Sequence, residues 1–285
     1  AANDQKVDYF TMASSGNSQT FGDLTAGRGY ASGASSSTRG LCAGGYVSPA
    51  NVNTIDYVEI MTLGDALDFG DLATQKESTV GMSSPTRGFI GPGMSPSFVS
   101  EIDVITIASK GNAISFGNNS SGRGGGNNAC SSSTRGINGG GRNPGPTALN
   151  ILDYIEIATL GNALDFGDLV YAATWISSFS SPTRGFWAGG GPSYGHKGIS
   201  MVTIASTGNA IDFGDTNCNT YGTGACSNST RGIIMGGNRM PGNSPFDDGN
   251  DGNNVIDQVE ISTLGNAIDF GDLTNRRAYP ASCGS

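Results

Sequence analysis

Several features that most catalytic and nucleic-acid-binding proteins need are scarce or missing in this sequence. Only 14% of its 285 residues are charged, against about 25% in a typical soluble domain, and the formal net charge is −9. Nucleic acid and anionic membranes bind to positively charged surfaces, so we expect neither as a partner. No apolar run approaches the roughly 18 residues of a transmembrane helix, and we therefore expect no membrane insertion.

Histidine is almost absent as well. His196 is the single histidine, so a zinc site built on two histidines is excluded, and a Ser-His-Asp triad would have to use this residue alone. No phosphate-binding loop of the form G-x-x-x-x-G-K followed by Ser or Thr occurs. No carboxylate pair for glycoside hydrolysis stands out among the repeated aspartates. We predict that the protein is not an enzyme and has no catalytic residue.

One stretch is rich in oxygen ligands. Residues 246–254 read FDDGNDGNN and contain Asp247, Asp248 and Asp251, and calcium prefers such carboxylate and amide oxygens. Their spacing departs from that of an EF-hand, so a calcium site and a solvated acidic loop both stay open. We expect no other cofactor.

What the sequence does have is a repeat of about 48 residues, a period typical of propeller blades and solenoids. The first signature has the consensus G-N-A-x-D-F-G-D, and its phenylalanines are Phe21, Phe69, Phe116, Phe166, Phe213 and Phe270. The second signature is S-x-x-T-R-G, and its arginines are Arg39, Arg87, Arg135, Arg184 and Arg231.

Each unit of the repeat contains four short segments with strand character. In residues 171–214, for example, the third and fourth segments are ISMVTIA and NAIDFGDT. The third alternates with the period of a strand, and a Gly-Asn pair before the fourth suits a tight hairpin. Four short antiparallel strands form one propeller blade. We therefore predict an all-β fold with a single domain over residues 1–285, a six-bladed β-propeller.

The two ends of the chain predict how the ring closes. The N-terminus enters at a third strand, VDYFTMA, and residues 276–285, RRAYPASCGS, align with a first strand. We expect both termini to form the last blade together, because closure removes the exposed edges of an open array. The T-R-G strand of this blade is absent, which indicates a trimmed chain, a proteolytic product or a strand donated by a neighbour.

The topology of a blade predicts two unlike faces. The loop from strand two to strand three and the loop from strand four to the next blade emerge on the same side. These loops differ in every copy, whereas the T-R-G and T-L-G-N turns of the other side hardly change. Variable loops on a repeated scaffold are typical of a recognition surface, although simple drift of loop sequences explains the pattern equally well.

We interpret the repeated charged residues as structural, because a catalytic group is needed once rather than five times. An arginine fork bonded to a carboxylate or to a backbone carbonyl ties strand ends within or between blades. The set comprises the five T-R-G arginines and the aspartates that follow F-G, namely Asp23, Asp71, Asp168, Asp215 and Asp272.

Aromatic residues of the variable loops are the candidate ligand-binding residues. Exposed rings beside amide and carboxylate groups suit sugars, which offer apolar faces and hydroxyl edges. The candidates are Tyr46, Phe98, Tyr194, His196, Tyr221 and Phe246. We expect half of them to be partly buried, because aromatic side chains in loops also pack beneath those loops.

The repeat resembles a known family. IDYVEIMTLGDALDFGDL, SSPTRGFIGPG and ISMVTIASTGNAIDFGDT are similar to the kelch-like β-propeller repeats of tail-fibre and virion structural proteins of marine bacteriophages, particularly cyanophages. The resemblance covers nearly the entire chain, and its motifs specify the repeat rather than an activity. It implies an extracellular or virion-associated propeller used for attachment or architecture.

These observations lead to two hypotheses about function. In the first, the protein is a recognition or adhesion module of a phage fibre or similar appendage, and its variable loops bind a host-surface glycan or surface protein. In the alternative, it is a purely structural module that assembles with other virion or filament subunits and binds no ligand. The enzymatic interpretation is the weakest of the three, because no catalytic pair can be singled out.

Overall fold

The computed structural model describes residues 5–126, 128–145, 147–191, 196–239 and 252–282, which form strands, turns and loops. No helical segment of this described part is long and apolar enough to cross a bilayer. The strands of its first half are β1 (Lys6–Tyr9), β2 (Gln19–Asp23), β3 (Ser32–Ser35), β4 (Arg39–Ala43), β5 (Tyr46–Val47), β6 (Ala50–Asn51), β7 (Thr54–Glu59), β8 (Leu67–Asp71), β9 (Gly81–Ser83), β10 (Arg87–Ile90), β11 (Gly93–Ser95), β12 (Ser97–Val99), β13 (Glu101–Thr106) and β14 (Ile114–Asn118).

The second half continues the same pattern of short strands. They are β15 (Asn128–Ser131), β16 (Arg135–Gly139), β17 (Ile151–Glu156), β18 (Leu164–Asp168), β19 (Ser177–Ser180), β20 (Arg184–Ala188), β21 (His196–Thr203), β22 (Ile211–Tyr221), β23 (Gly224–Ser227), β24 (Arg231–Met235), β25 (Asn238–Arg239), β26 (Asn253–Glu260) and β27 (Ile268–Arg277).

These strands build antiparallel blades in a propeller arrangement, so the predicted all-β fold class is confirmed. The blades have the strand orders β3-β4-β7-β8, β9-β10-β13-β14, β15-β16-β17-β18, β19-β20-β21-β22 and β23-β24-β26-β27, with β25 added at the edge of β22. The first strands β3, β9, β15, β19 and β23 contact one another in succession. They therefore line the axis, and the fourth strands lie outermost.

The prediction of six four-stranded blades is wrong, since the described residues form five. The sixth unit, which combines residues from both chain ends, has no second strand among the described residues, and its only sheet there is the two-stranded one of β1 and β2. The C-terminal segment lies beside the fifth blade, where the Ser282 hydroxyl donates to Ala225 O at 2.7 Å. The Ser178 hydroxyl makes the same contact with Ala129 O between the third and fourth blades. Ser282 thus occupies a first-strand position without forming a strand.

The apolar core lies between neighbouring blades. In one cluster, Phe89 and Phe116 of the second blade pack with Ile155 and Ile157 of the third. Comparable clusters join the other successive blades, and a further one joins the fifth blade to Phe10 and Met12 of the N-terminal segment. Burial between blades explains why single units of this length need neighbours to be stable.

A seam of backbone hydrogen bonds links the outer parts of consecutive units. The Gly64 N–H donates to Phe21 O at 3.1 Å, and the Ala66 N–H donates to Asp23 O at 2.8 Å. The Asp65 side chain accepts a hydrogen bond from the Asp23 N–H at 3.0 Å. The G-N-A and F-G-D parts of the first signature are therefore the two sides of one seam, and the aspartate that follows F-G contributes its backbone.

The same seam recurs between all successive units and closes the ring. At the junction of the fifth blade with the N-terminal segment, Gly16 N–H donates to Phe270 O and Ser18 N–H donates to Asp272 O. The Asn17 side chain accepts from the Asp272 N–H at 3.1 Å. Both ends of the chain are thereby joined, although the sixth unit has only two strands.

The glycine of F-G-D is required by the closeness of the two sides of the seam. A Cβ atom at Gly22 would lie 2.2 Å from Gly64 O, and one at Gly117 would lie 2.2 Å from Gly161 O. Because both obstacles are backbone atoms, a side chain at these positions would force the units apart.

The T-R-G arginines form a second set of contacts between units. Arg184 Nη1 donates to Ile261 O at 2.8 Å and to Ser262 O at 3.3 Å. Arg87 Nη1 donates to Ile157 O at 3.0 Å. Three of the arginines also pair with a glutamate of their own third strand, as Arg39–Glu59, Arg135–Glu156 and Arg231–Glu260.

Four ion pairs, three of them buried, hold the loops that lead from one unit into the next, and sequence analysis missed them. The acidic partner is the aspartate at the third residue of β1, β7, β13 or β17. The pairs are Arg28–Asp56, Lys76–Asp103 at 3.0 Å, Arg123–Asp153 at 2.6 Å and Arg277–Asp8 at 3.1 Å. Burial lowers the pKa of Arg123, and the Asp153 carboxylate partly opposes this effect.

The fourth blade suggests a test of these pairs, because it has Ser200 where the other blades have the aspartate. Arg123→Ala leaves the Asp153 carboxylate buried without its cation, and we expect the free energy of unfolding to fall by about 3–5 kcal/mol. The double variant Arg123→Ala with Asp153→Ser copies the fourth blade and should recover much of this loss. Denaturant unfolding measures both, and equal losses in the two variants would contradict the assigned pairing.

Candidate functional site

The loops after the second strands and after the fourth strands lie together on one face, which we call the variable face. Hydrogen bonds join one set of loops to the other. Gly45 N–H donates to Lys76 O at 2.9 Å, and Gly141 N–H donates to Ala173 O at 2.8 Å. The loops with divergent sequences therefore form one continuous surface.

At the centre of the variable face, one backbone position recurs in every unit just before its first strand. All of its occupants have positive φ, namely Tyr30 (57°), Ser78 (52°), Gly126 (84°), Trp175 (56°), Gly222 (64°) and Tyr279 (55°). Glycine adopts this left-handed conformation without strain, whereas other residues adopt it at a cost of about 1–3 kcal/mol. The chain nevertheless places aromatic residues at three of these positions.

The three aromatic residues meet over the propeller axis and form what we call the axial aromatic cluster. The ring centroids of Trp175 and Tyr279 are 4.9 Å apart, and those of Tyr30 and Tyr279 are 5.3 Å apart. Tyr30 precedes the first blade and Trp175 precedes the fourth, yet their rings are 6.1 Å apart. Residues from opposite sides of the ring thus converge on one point.

The axial aromatic cluster borders a depression with polar groups at its edge. Tyr30 is 37% exposed, and Trp175 and Tyr279 are partly buried. The depression is also lined by Asn128 and Thr223, and the buried Thr223 hydroxyl has no hydrogen-bond partner among the described residues. Buried polar groups are normally satisfied by protein, water or ligand, so this hydroxyl is an exception beside the depression.

Tyr279 has an unusual environment within the cluster. Burial is the largest cause that raises the pKa of its phenol to about 12, and the neighbouring hydroxyls of Tyr221 and Tyr30 raise it further. A side-chain hydrogen bond with Asn238 acts in the opposite direction. The phenol therefore keeps its proton and remains a hydrogen-bond donor well above neutral pH.

The residues predicted to bind ligand do not form one site. Tyr221 contacts the axial aromatic cluster, with its ring centroid 6.2 Å from that of Tyr279. Tyr46 lies in β5, where its backbone pairs with Gly29. Tyr194 and Phe246, together with the proposed calcium ligands Asp247, Asp248 and Asp251, lie outside the described residues.

Phe98 and His196 have local partners elsewhere on the variable face. The Arg142 guanidinium lies 5.9 Å from the ring centroid of Phe98. The His196 ring lies 4.1 Å from that of Tyr171, and its Nδ1 accepts a hydrogen bond from the Gly198 N–H at 2.7 Å. In the described part of the chain, no group of three or more metal-ligating side chains comes together.

Sequence reasoning missed Tyr30, Trp175 and Tyr279, although the repeat carried a signal for them. Each stands nine residues after the phenylalanine of the first signature, and the equivalent residues of the other units are Ser78, Gly126 and Gly222. Alignment of the units at this position shows three aromatic residues, two glycines and one serine. At such an aligned position, the backbone conformation favours glycine, whereas packing or binding favours an aromatic ring.

Comparison with known proteins gives no family for this chain. No family model matches it, and no curated protein is significantly similar to it. The geometry of the variable face therefore has to support any functional conclusion.

The raised pKa of Tyr279 leads to a titration experiment. An unfolded tyrosine ionises near pH 10, so the stability that Tyr279 contributes is complete below pH 10 and is lost as the pH rises through about 12. We expect the ultraviolet absorbance titration of the native protein, minus that of Tyr279→Phe, to show one phenol ionising near pH 12. A difference curve centred on pH 10 would show that this phenol is exposed to solvent.

Proposed function

We propose that this protein is a non-enzymatic recognition module that binds a surface glycan through the axial aromatic cluster. The observation that carries this proposal is the convergence of Tyr30, Trp175 and Tyr279 over the axis from left-handed backbone positions. We further propose that the module is extracellular or virion-associated, in a phage fibre or a similar appendage, as its kelch-like repeat implies.

The chemistry of the depression supports a sugar as the ligand. Sugar rings have apolar faces that stack on aromatic side chains, and Tyr and Trp combine large apolar rings with a polar group. Thr79, Asn128 and Thr223 line the same depression and make its wall partly polar, which suits a ligand that has both apolar faces and hydroxyl groups. The net charge of −9 favours a neutral glycan over an anionic one, because like charges repel.

Backbone strain also supports a role in binding. If the rings served only to fill the space over the axis, glycine could occupy the left-handed position and a ring from an unstrained position could fill that space. This arrangement would avoid the free-energy cost of a strained backbone. Strained residues cluster at ligand sites, where the surrounding structure holds them in place. The axial rings are therefore better explained by what they contact outside the protein than by packing alone.

The test separates binding from stability with one substitution. Trp175→Gly relieves a left-handed backbone worth about 1–3 kcal/mol, but it removes ring contacts worth about 0.5–1.5 kcal/mol each in addition to the buried area of the ring. We therefore expect a moderate fall in the free energy of unfolding, and binding is compared per folded molecule. On an array of neutral glycans, we expect its binding to fall at least tenfold. Ser78→Gly is the matched control at the same backbone position and should keep both properties.

The opposite result would assign the cluster to the scaffold. If Trp175→Gly unfolds readily while its folded fraction binds glycans as well as the native protein, the rings are a structural cap. Product analysis after incubation with any bound glycan tests the non-enzymatic part of the proposal, for which we expect no cleavage products.

The alternative function is a structural module that assembles with other virion or filament subunits. A protein that binds no glycan or surface ligand but assembles with such subunits would establish the alternative.

A further inference from the structure

The turns on the side opposite the variable face, which we call the repetitive face, are of two kinds that alternate around the ring. Each unit contributes the hairpin between its third and fourth strands to this face. The first, third and fifth units have glutamate at the end of the third strand and leucine at the hairpin tip, whereas the second, fourth and sixth have threonine and a polar residue. The first kind comprises Glu59 with Leu63, Glu156 with Leu160 and Glu260 with Leu264, and the second comprises Thr106 with Lys110, Thr203 with Thr207 and Thr11 with Ser15.

The turn that contains T-R-G alternates in step with the hairpin. The residue before its threonine is serine in the first kind of unit and proline in the second and fourth units, namely Ser37, Ser133 and Ser229 against Pro85 and Pro182. In the first kind, the arginine also pairs with the glutamate of its own third strand. The seam between units uses none of these alternating side chains, so closure of the ring does not explain the alternation.

The three leucines at the hairpin tips, which we call the leucine tips, are largely exposed. Their exposed fractions are 61% for Leu63, 63% for Leu160 and 65% for Leu264, so packing within the chain does not account for them. Each precedes a glycine whose N–H donates to the preceding unit, as Gly64 donates to Phe21 O. The seam therefore holds all three tips in equivalent backbone positions. Because one unit separates each tip from the next, they have a threefold arrangement around the axis.

The hairpins of the leucine tips are rich in carboxylates. Their glutamate side chains are 46%, 44% and 49% exposed. The second residue of the fourth strand is an exposed aspartate in each of these units, namely Asp68, Asp165 and Asp269. Each hairpin thus has two carboxylates against one T-R-G guanidinium, and its net charge is negative. Such a surface is complementary to a basic one.

The first of these hairpins has one extra charge of each sign. Lys110, at the hairpin tip of the second unit, reaches the first unit, where its Nζ lies 4.8 Å from the centroid of the Tyr57 ring. The first unit also has Asp65 where the other units have asparagine. The additional carboxylate offsets the additional cation, so the three hairpins have the same net charge.

We propose that the repetitive face docks onto a homotrimer that shares its axis, and that each protomer covers one leucine tip with an apolar pocket and places a Lys or Arg beside the carboxylates. Identical protomers around a threefold axis present the same surface three times, whereas an asymmetric partner would need three different surfaces for the same tip. Each contact is small, but three contacts that form together raise the affinity through effective concentration. A second copy of this chain does not fit, because its net charge of −9 opposes association of like faces.

A trivalent probe tests the proposal on the intact protein. The probe is a trimeric coiled coil with isoleucine at its a and d positions, and each chain ends in a flexible Gly-Ser linker and the segment Lys-Leu-Lys-Leu. The linkers are long enough for the three segments to reach all three tips. Fluorescence anisotropy follows the binding of this probe and of the single linker–segment peptide. We expect one probe to bind per protein, about a hundredfold more tightly than the single peptide, and more weakly as the salt concentration rises.

Single substitutions test the equivalence of the three leucine tips. Leu63→Ser, Leu160→Ser and Leu264→Ser should each weaken probe binding about tenfold, because each leaves only two tips to act together. The three losses should be equal, and the melting temperature should not change because the leucines are exposed. Ile211→Ser, at an exposed apolar position of the fourth unit, is the matched control and should leave binding unchanged.

Three results would overturn the proposal. One is the absence of saturable probe binding, and another is equal affinity for the trivalent probe and the single peptide. The third is a loss of binding confined to one leucine variant, or an equal loss in the Ile211→Ser control, since either would show that the partner does not recognise three equivalent tips.

Discussion

The ring depends on the hydrogen-bonded seam between F-G-D of one unit and G-N-A of the next. Two of its bonds join backbone to backbone, and the third uses the side-chain oxygen of Asn or Asp. A glycine at the point of closest approach is the only residue type that fits, because the neighbouring carbonyl lies where a Cβ would stand. These requirements account for most of the first signature and for its recurrence in every unit.

The seam leaves the variable face free to differ. It lies in the outer strands, and an ion pair beneath the loops, where a unit has one, needs only one cation and one aspartate, so the remaining loop residues are not constrained by ring closure. It also explains how a unit with two strands can complete the ring, since β2 and the turn before it contain both seam sequences. Closure of the ring therefore does not depend on a second strand in the sixth unit.

The sequence predicted the blade but not the number of complete blades. Periodicity identifies strands and their order because it records which residues must alternate between buried and exposed positions. The number of F-G tracts, however, equals the number of seams rather than the number of complete blades, because a seam forms at Phe21 and at Phe270 whether or not a second strand is present.

The sequence did not reveal the axial aromatic cluster for a different reason. Tyr30, Trp175 and Tyr279 are far apart in the chain, and only closure of the ring brings them together over the axis.

Amide hydrogen exchange at the closing seam tests the account most directly. Gly16, Ser18 and Asp272 donate backbone hydrogen bonds there, as Gly64, Ala66 and Asp23 do at the seam between the sixth unit and the first blade. If the ring is closed in solution, these amides are protected to a degree comparable with those of the seams between complete blades. Exchange of the Gly16, Ser18 and Asp272 amides at the rates of an unstructured peptide would show that the ring is open, and the axial cluster of Tyr30, Trp175 and Tyr279 would then lose its basis.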